Sequence, residues 1–167
     1  MHYAQIRKFD TANGPGIRTS LFVSGCTHQC MGCFNQDYKK FNYGHVWTTD
    51  VKTSFIQHVN APMIKGVTIL GGEPFDQIKD DDLLELVRSL KAQTNKSIWI
   101  YSGYTFEEIT SHPKRFEILK YCDVLVDGQF VQALKDLKLR FRGSSNQRIL
   151  DVSQSIENEQ PVLLETY

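Results

Sequence analysis

The chain has 167 residues, 41% hydrophobic and 23% charged, a globular balance that excludes a disordered or fibrous protein and predicts one domain over 1–167. Nineteen Lys and Arg side chains balance nineteen Asp and Glu, so no overall field argues for nucleic acid or an anionic membrane as partner. The opening MHYAQIRKFDTANGPG lacks a signal-peptide core, and no apolar run approaches the ~18 residues of a membrane span, so a cytoplasmic protein is expected.

After the turn-forming Asn13-Gly14-Pro15-Gly16, the β-branched stretch IRTSLFVSG (17–25) predicts a strand, and 26–45 reads as an irregular loop. Residues 49–60 suggest a short helix, and VTIL (67–70) is a buried strand stopped by Gly71-Gly72. Asp80, Asp81 and Asp82 precede Leu83, Leu84, Val87 and Leu90, an apolar stripe at helical spacing with acidic residues where the helix dipole favours them. SIWIYSG (97–103) reads as a strand, TFEEI through EILKYC as helix broken near Pro113, and DVLVDG (123–128) as a strand ending in glycine. The tail after Leu150 is weakly patterned. This alternation predicts an α/β fold of parallel strands, with ligands beyond their C-terminal ends. A closed eight-fold barrel needs about 250 residues, which leaves a partial barrel or an open sheet.

Three of the four cysteines fall in SGCTHQCMGCFN (24–35), as Cys26, Cys30 and Cys33. In a reducing compartment such a cluster reads as metal-binding or catalytic rather than as a disulfide framework. Structural zinc is normally closed by four protein ligands, so zinc would have to recruit His28, another histidine or Cys122. A cubane iron-sulfur cluster has four iron corners; three thiolates hold three of them and leave one iron open to a substrate. Cys122, alone at the start of an apolar strand, reads as a small buried hydrophobe. His2, His45, His58 and His112 share no spacing and read as surface or packing residues.

The C-x3-C-x2-C spacing resembles the signature of the radical S-adenosylmethionine (SAM) superfamily, although Gly32 stands before the third cysteine, where an aromatic residue is usual. The longer form C-x-H-x-C-x-G-C-x-N, together with NGPGIRTSLFVSGC, GGEP (71–74), VDGQF (126–130) and RGSSNQRILDV (142–152), is similar to the small activases of anaerobic ribonucleoside-triphosphate reductases. The resemblance implies a shortened partial (β/α) barrel of parallel strands. It also implies a [4Fe-4S] cluster held by Cys26, Cys30 and Cys33, and S-adenosylmethionine as the second cofactor. The expected reaction is reductive cleavage of that cofactor to methionine and a 5′-deoxyadenosyl radical, which makes a glycyl radical in the reductase. A low-potential donor such as flavodoxin or ferredoxin would supply the electron.

By the same resemblance, Gly71, Gly72 and Glu73 contact the methionyl ammonium and Pro74 stiffens their turn. Gly32 and Phe34 neighbour the adenine, and Ser102 and Asp127 occupy strand ends where ribose and carboxylate contacts occur. No general acid or base is required, so no catalytic residue is expected beyond the cluster ligands. The basic stretch from Lys135 to Arg148 reads as a solvated face or a partner-docking or anion site. Two alternatives stay open from sequence: activation of another glycyl radical enzyme of the pyruvate formate-lyase type, and a non-catalytic zinc-binding interaction module.

Overall fold

A computed structural model describes residues 1–167. Its frame is a single mixed sheet of seven strands in the order β3-β1-β2-β4-β5-β6-β7. The centre is parallel: β2 (Arg18–Ser24), β4 (Gly66–Gly71), β5 (Ser97–Tyr101) and β6 (Val124–Asp127) lie side by side in chain order. Helices make the crossovers: α1 (Thr49–Val59), α2 (Asp82–Gln93), and α3 (Phe106–Thr110) with α4 (Pro113–Leu119). The four parallel strands therefore end at one rim of the sheet.

The flanking strands depart from the all-parallel expectation. β1 (His2–Asp10) runs antiparallel to β2, β3 (His45–Val46) pairs antiparallel with β1, and β7 (Arg148–Asp151) runs antiparallel to β6, followed by α5 (Val152–Glu157). Register shifts between Tyr3 and Gln5 and between Arg7 and Asp10 break the two-residue period of β1, which hides it from a search for alternation. β3 has two residues, too short to show a pattern, and β7 has four, of which only Ile149 and Leu150 are apolar.

Helix ends follow local chemistry. The Thr48 side chain accepts from Val51 N–H at the start of α1. α3 opens with a capping box between Thr105 and Glu108, and Pro113 starts α4 at a first-turn position where its missing N–H costs nothing. On α2 the buried face is Leu83, Leu86, Val87 and Leu90, with Leu84 only half-buried. Each of these leucines stabilises the fold by about 1.5–3 kcal/mol when fully buried.

Alternation along the strands separates two faces. Leu21, Val23, Val67, Ile69, Ile98 and Ile100 join the helices in a core cluster of 24 buried residues. Trp99, Val124, Val126 and Ile149 form a smaller cluster on the other face, packed by Phe141, Leu164 and Tyr167. Arg18 is buried there at 1% exposure. Its guanidinium donates to Thr68 Oγ1, the Pro15, Val67 and Ser97 carbonyls and Ser97 Oγ, and lies 5.4 Å from the Trp99 ring centre. Gly14 and Gly66 leave it room, since a Cβ on either would come within 2.7 Å of the guanidinium arm. No helix is long and apolar enough to cross a membrane.

Candidate active site

The cysteine loop leaves the C-terminal end of β2 and is tied down at its first residues. Gly25 N–H donates to the Tyr38 carbonyl (2.7 Å) and Cys26 N–H to that of Lys39 (3.1 Å). The Gly25 carbonyl accepts from Glu73 N–H (2.8 Å) and Gln77 Nε2 (3.1 Å). Asp76, itself 8% exposed, accepts from both the N–H and the hydroxyl of Thr27. The turn after β4 thus holds the loop after β2 by backbone and side chain together.

Cys26, Cys30 and Cys33 line one cavity of about 270 Å³ with Gly71, Gly72, Glu73 and Ser102. Phe34 stands at its mouth, 76% exposed, its ring centre 6.1 Å from that of Phe130. Gly71 has φ +111°, and a Cβ there would lie 2.7 Å from the Val23 carbonyl. A Cβ on Gly72 would lie 2.5 Å from the Gly25 carbonyl. These glycines are needed because the β2 backbone and its loop press against them, while their main chain still faces the cavity.

Glu73 is 1% exposed and its carboxylate is saturated. One oxygen accepts from Phe75 N–H (3.0 Å) and Ser102 Oγ (2.8 Å), the other from Gly103 N–H (2.7 Å) and His28 Nε2 (3.0 Å). The Glu73 N–H and carbonyl are also bonded, to Gly25 and to Asp76 and Gln77, so any ligand contact from this turn comes from the main chain of Gly71 and Gly72. Pro74 is buried at the start of a 3-10 turn and is not in the cavity wall. Gly32, at φ +75°, packs against Gln132 outside the wall. Asp127 also points away from the cavity. It accepts from Arg148 Nε (2.9 Å) and Phe106 N–H (2.7 Å), on the side of the sheet that carries α3. Ser102 and the three cysteines are thus brought together with the glycine turn, whereas Asp127, Gly32 and Pro74 are not.

The donor set fits a cubane cluster better than zinc. No three His, Cys, Asp or Glu side chains converge around one point. His28 has both ring nitrogens engaged, by Glu73 and by Gln129. Cys122 is 5% exposed in the main core, its thiol directed to the Ile118 carbonyl. Three thiols line one cavity whose other ligand types, His28 and Glu73, are already bonded to each other, which matches three corners of a cube. Burial pushes the Cys26 thiol up to about 12 and raises that of Cys30, so both hold their protons until a metal displaces them.

Asp76, Gln77, Tyr104 and Gln129, all ordered around the loop, were not legible as site residues. Asp76 and Gln77 come within three residues of GGEP, after Phe75, and Gln129 lies inside VDGQF, so nearness to those motifs was the available signal. The basic stretch splits its roles: Arg148 pairs with Asp127 and Glu107, Lys135 lies over Phe34, and Arg140 lies over Phe141 and Tyr167.

A protein-family model described as a 4Fe-4S single cluster domain matches residues 12–150. The anaerobic ribonucleoside-triphosphate reductase-activating protein of Escherichia coli K12 is 40% identical over 150 residues, covering 88% of this chain and 96% of that protein. The protein of the same name from Vibrio cholerae is 40% identical over 152 residues, covering 89% and 97%. That of bacteriophage T4 is 39% identical over 150 residues, covering 89% and 93%.

Proposed function

The chain belongs to the family of anaerobic ribonucleoside-triphosphate reductase-activating proteins, and from that premise we propose that it generates the glycyl radical of such a reductase. When bound, a reduced [4Fe-4S] cluster supplies the electron that cleaves S-adenosylmethionine into methionine and a 5′-deoxyadenosyl radical, the species that takes a hydrogen atom from the target glycine. The observation that carries this reading is the set of three thiols sharing one cavity with a glycine turn.

In this reading Cys26, Cys30 and Cys33 hold the cluster. The main chain of Gly71 and Gly72 receives the methionyl end while Glu73 holds their turn against the thiol loop, Ser102 stands beside the sugar, and Phe34 sits near the adenine. Pro74 fixes the turn, while Gly32 and Asp127 act at one remove, through the loop and through Arg148. The parallel strands, adjacent in chain order, support a shortened partial barrel formed by one domain. A flavodoxin or ferredoxin in the cytoplasm is the electron donor.

Anaerobic reconstitution followed by iron, sulfide and 5′-deoxyadenosine analysis, with and without the reductase, tests the proposal. About four irons per chain, cofactor cleavage and a glycyl radical signal in the reductase support it. One zinc and no sulfide refutes it.

A further inference from the structure

His28 lies between two of the three clustered cysteines, and every polar group of its ring is engaged. Nε2 is 3.0 Å from a Glu73 carboxylate oxygen, and Nδ1 is 3.0 Å from the Gln129 amide nitrogen. A carboxylate only accepts and an amide NH2 only donates, so Nε2 carries the hydrogen and Nδ1 offers its lone pair. The ring packs on Tyr104 with centroids 4.4 Å apart, and its side chain is 9% exposed. A Cβ on Gly103 would lie 2.7 Å from the ring, so only glycine leaves room for it there.

The partners of this one imidazole come from every parallel strand end. His28 itself follows β2, Glu73 follows β4, Gly103 and Tyr104 follow β5, and Gln129 follows β6. The Gln129 carbonyl in turn accepts from Asn146 Nδ2 at 2.8 Å, which extends the chain of contacts into the segment before β7. The sequence motifs around Cys26–Cys33, Gly71–Pro74 and Val126–Phe130 therefore meet at His28, and that of Arg142–Val152 reaches it only through Gln129.

We propose that His28 is a positioning residue: with Glu73 and Gln129 it sets the thiol loop at a fixed distance from the glycine turn, and so aligns the cluster with the cofactor without ligating either. The consequence for the cofactor rests on the function proposed above; the geometry of the hub does not.

Two measurements test this. Amide hydrogen exchange in the full iron-free chain is expected to quicken at Gly25, Cys26 and Glu73 in His28→Ala, because the ring no longer ties the thiol loop to the glycine turn. Wild-type exchange at those positions overturns the proposal. In anaerobically reconstituted protein, His28→Ala is expected to keep wild-type iron and sulfide per chain yet bind S-adenosylmethionine about tenfold or more weakly, the loss expected for a hydrogen bond to a charged group. His28→Gln, which retains a donor and an acceptor, restores part of that affinity. Adding Gln129→Ala to His28→Ala should weaken binding no further, because both changes cut the same link. Unchanged affinity in His28→Ala, or losses that multiply in the double variant, overturns the proposal. If His28→Ala does not fold, Gly103→Ala, which presses on the ring while leaving its polar groups, and the exposed Gln129→Ala decide by the same affinity criterion. A wild-type chain that takes up no cluster would refute the proposed function, and amide exchange in the iron-free chain would still decide the hub.

Discussion

Asp76 and Thr27 are joined twice, with one Asp76 carboxylate oxygen accepting the Thr27 N–H at 2.8 Å and the Thr27 hydroxyl at 2.9 Å. The other oxygen accepts from the Tyr104 hydroxyl at 2.8 Å. Asp76→Ala removes all three bonds, but Thr27 is exposed and its hydroxyl still lies 3.2 Å from that of Tyr104, so the cost is about 1 kcal/mol rather than a full buried-donor penalty. The thermal midpoint of the iron-free chain should fall by about 2–4 °C for each kcal/mol at this chain length. Calorimetry of the variant checks this, and an unshifted midpoint contradicts the double anchor.

Replacing Cys26, Cys30 or Cys33 with Ala should abolish cluster assembly and cofactor cleavage. Cys122→Ala should leave both near wild type, since Cys122 is packed in the main core with its thiol directed to a backbone carbonyl. Iron and sulfide analysis after anaerobic reconstitution distinguishes the two outcomes. Loss of the cluster in Cys122→Ala would reassign the ligands.

Asp127→Ala removes a carboxylate that is fully buried and shared between Arg148 and the α3 backbone. Because the Arg148 side chain remains 31% exposed and can find water, the cost should be about 2 kcal/mol rather than the full penalty of a dry broken pair. Denaturant unfolding should show this loss while S-adenosylmethionine affinity, measured on folded protein, changes less than threefold (roughly 0.6 kcal/mol). A large affinity loss with unchanged stability would put Asp127 in direct contact with the cofactor.

The Arg148 hydrogen bond and charge hold the Glu107 carboxyl below its ordinary 4.5. A depressed folded value means the unfolded chain binds the proton more readily, so the pair contributes stability above pH 4.5 and loses it as the pH falls through the lower folded value. The thermal midpoint should therefore decline on acidification below about pH 5, and Glu107→Gln should flatten part of that decline. An identical profile in the variant would show that the pair contributes nothing measurable.

Gly72→Ala drives a methyl group into the Gly25 and Tyr38 carbonyls, 2.5 and 2.9 Å from the new Cβ. Both obstacles are backbone and cannot rotate away, so overpacking of about 1–3 kcal/mol is expected. The turn and the thiol loop should also separate, visible as faster amide exchange at Gly25, Cys26 and Glu73. Wild-type exchange at those three positions would refute the packing role.

The central strands were legible from β-branched and apolar composition: IRTSLFVSG and DVLVDG each contain an observed strand, and VTIL lies within one. The site was legible in its thiols and glycines, whose spacing is set by chemistry. What was not legible has one physical source, contacts between residues distant in sequence. Asp127 ends a strand, as a cofactor-contacting residue would, yet the two-residue period turns it toward α3. His28 has no neighbour in sequence that betrays its partners, which lie 45 and 101 positions away. β1 was hidden by its irregular register, and β7 by having only two apolar residues between charged ends.

The pairing of β2 with β4 places Val23 opposite Gly71, and the whole constellation depends on that alignment. Sliding one strand by a single step would move the thiols about 3.3 Å along the sheet and reverse the inward and outward side chains together. Length changes within these strands should therefore be lethal, whereas connections at the far rim can grow or shrink without disturbing the chemistry. Tolerance of insertions in this family should be distributed accordingly, lopsided along the strand axis rather than graded by distance from the surface.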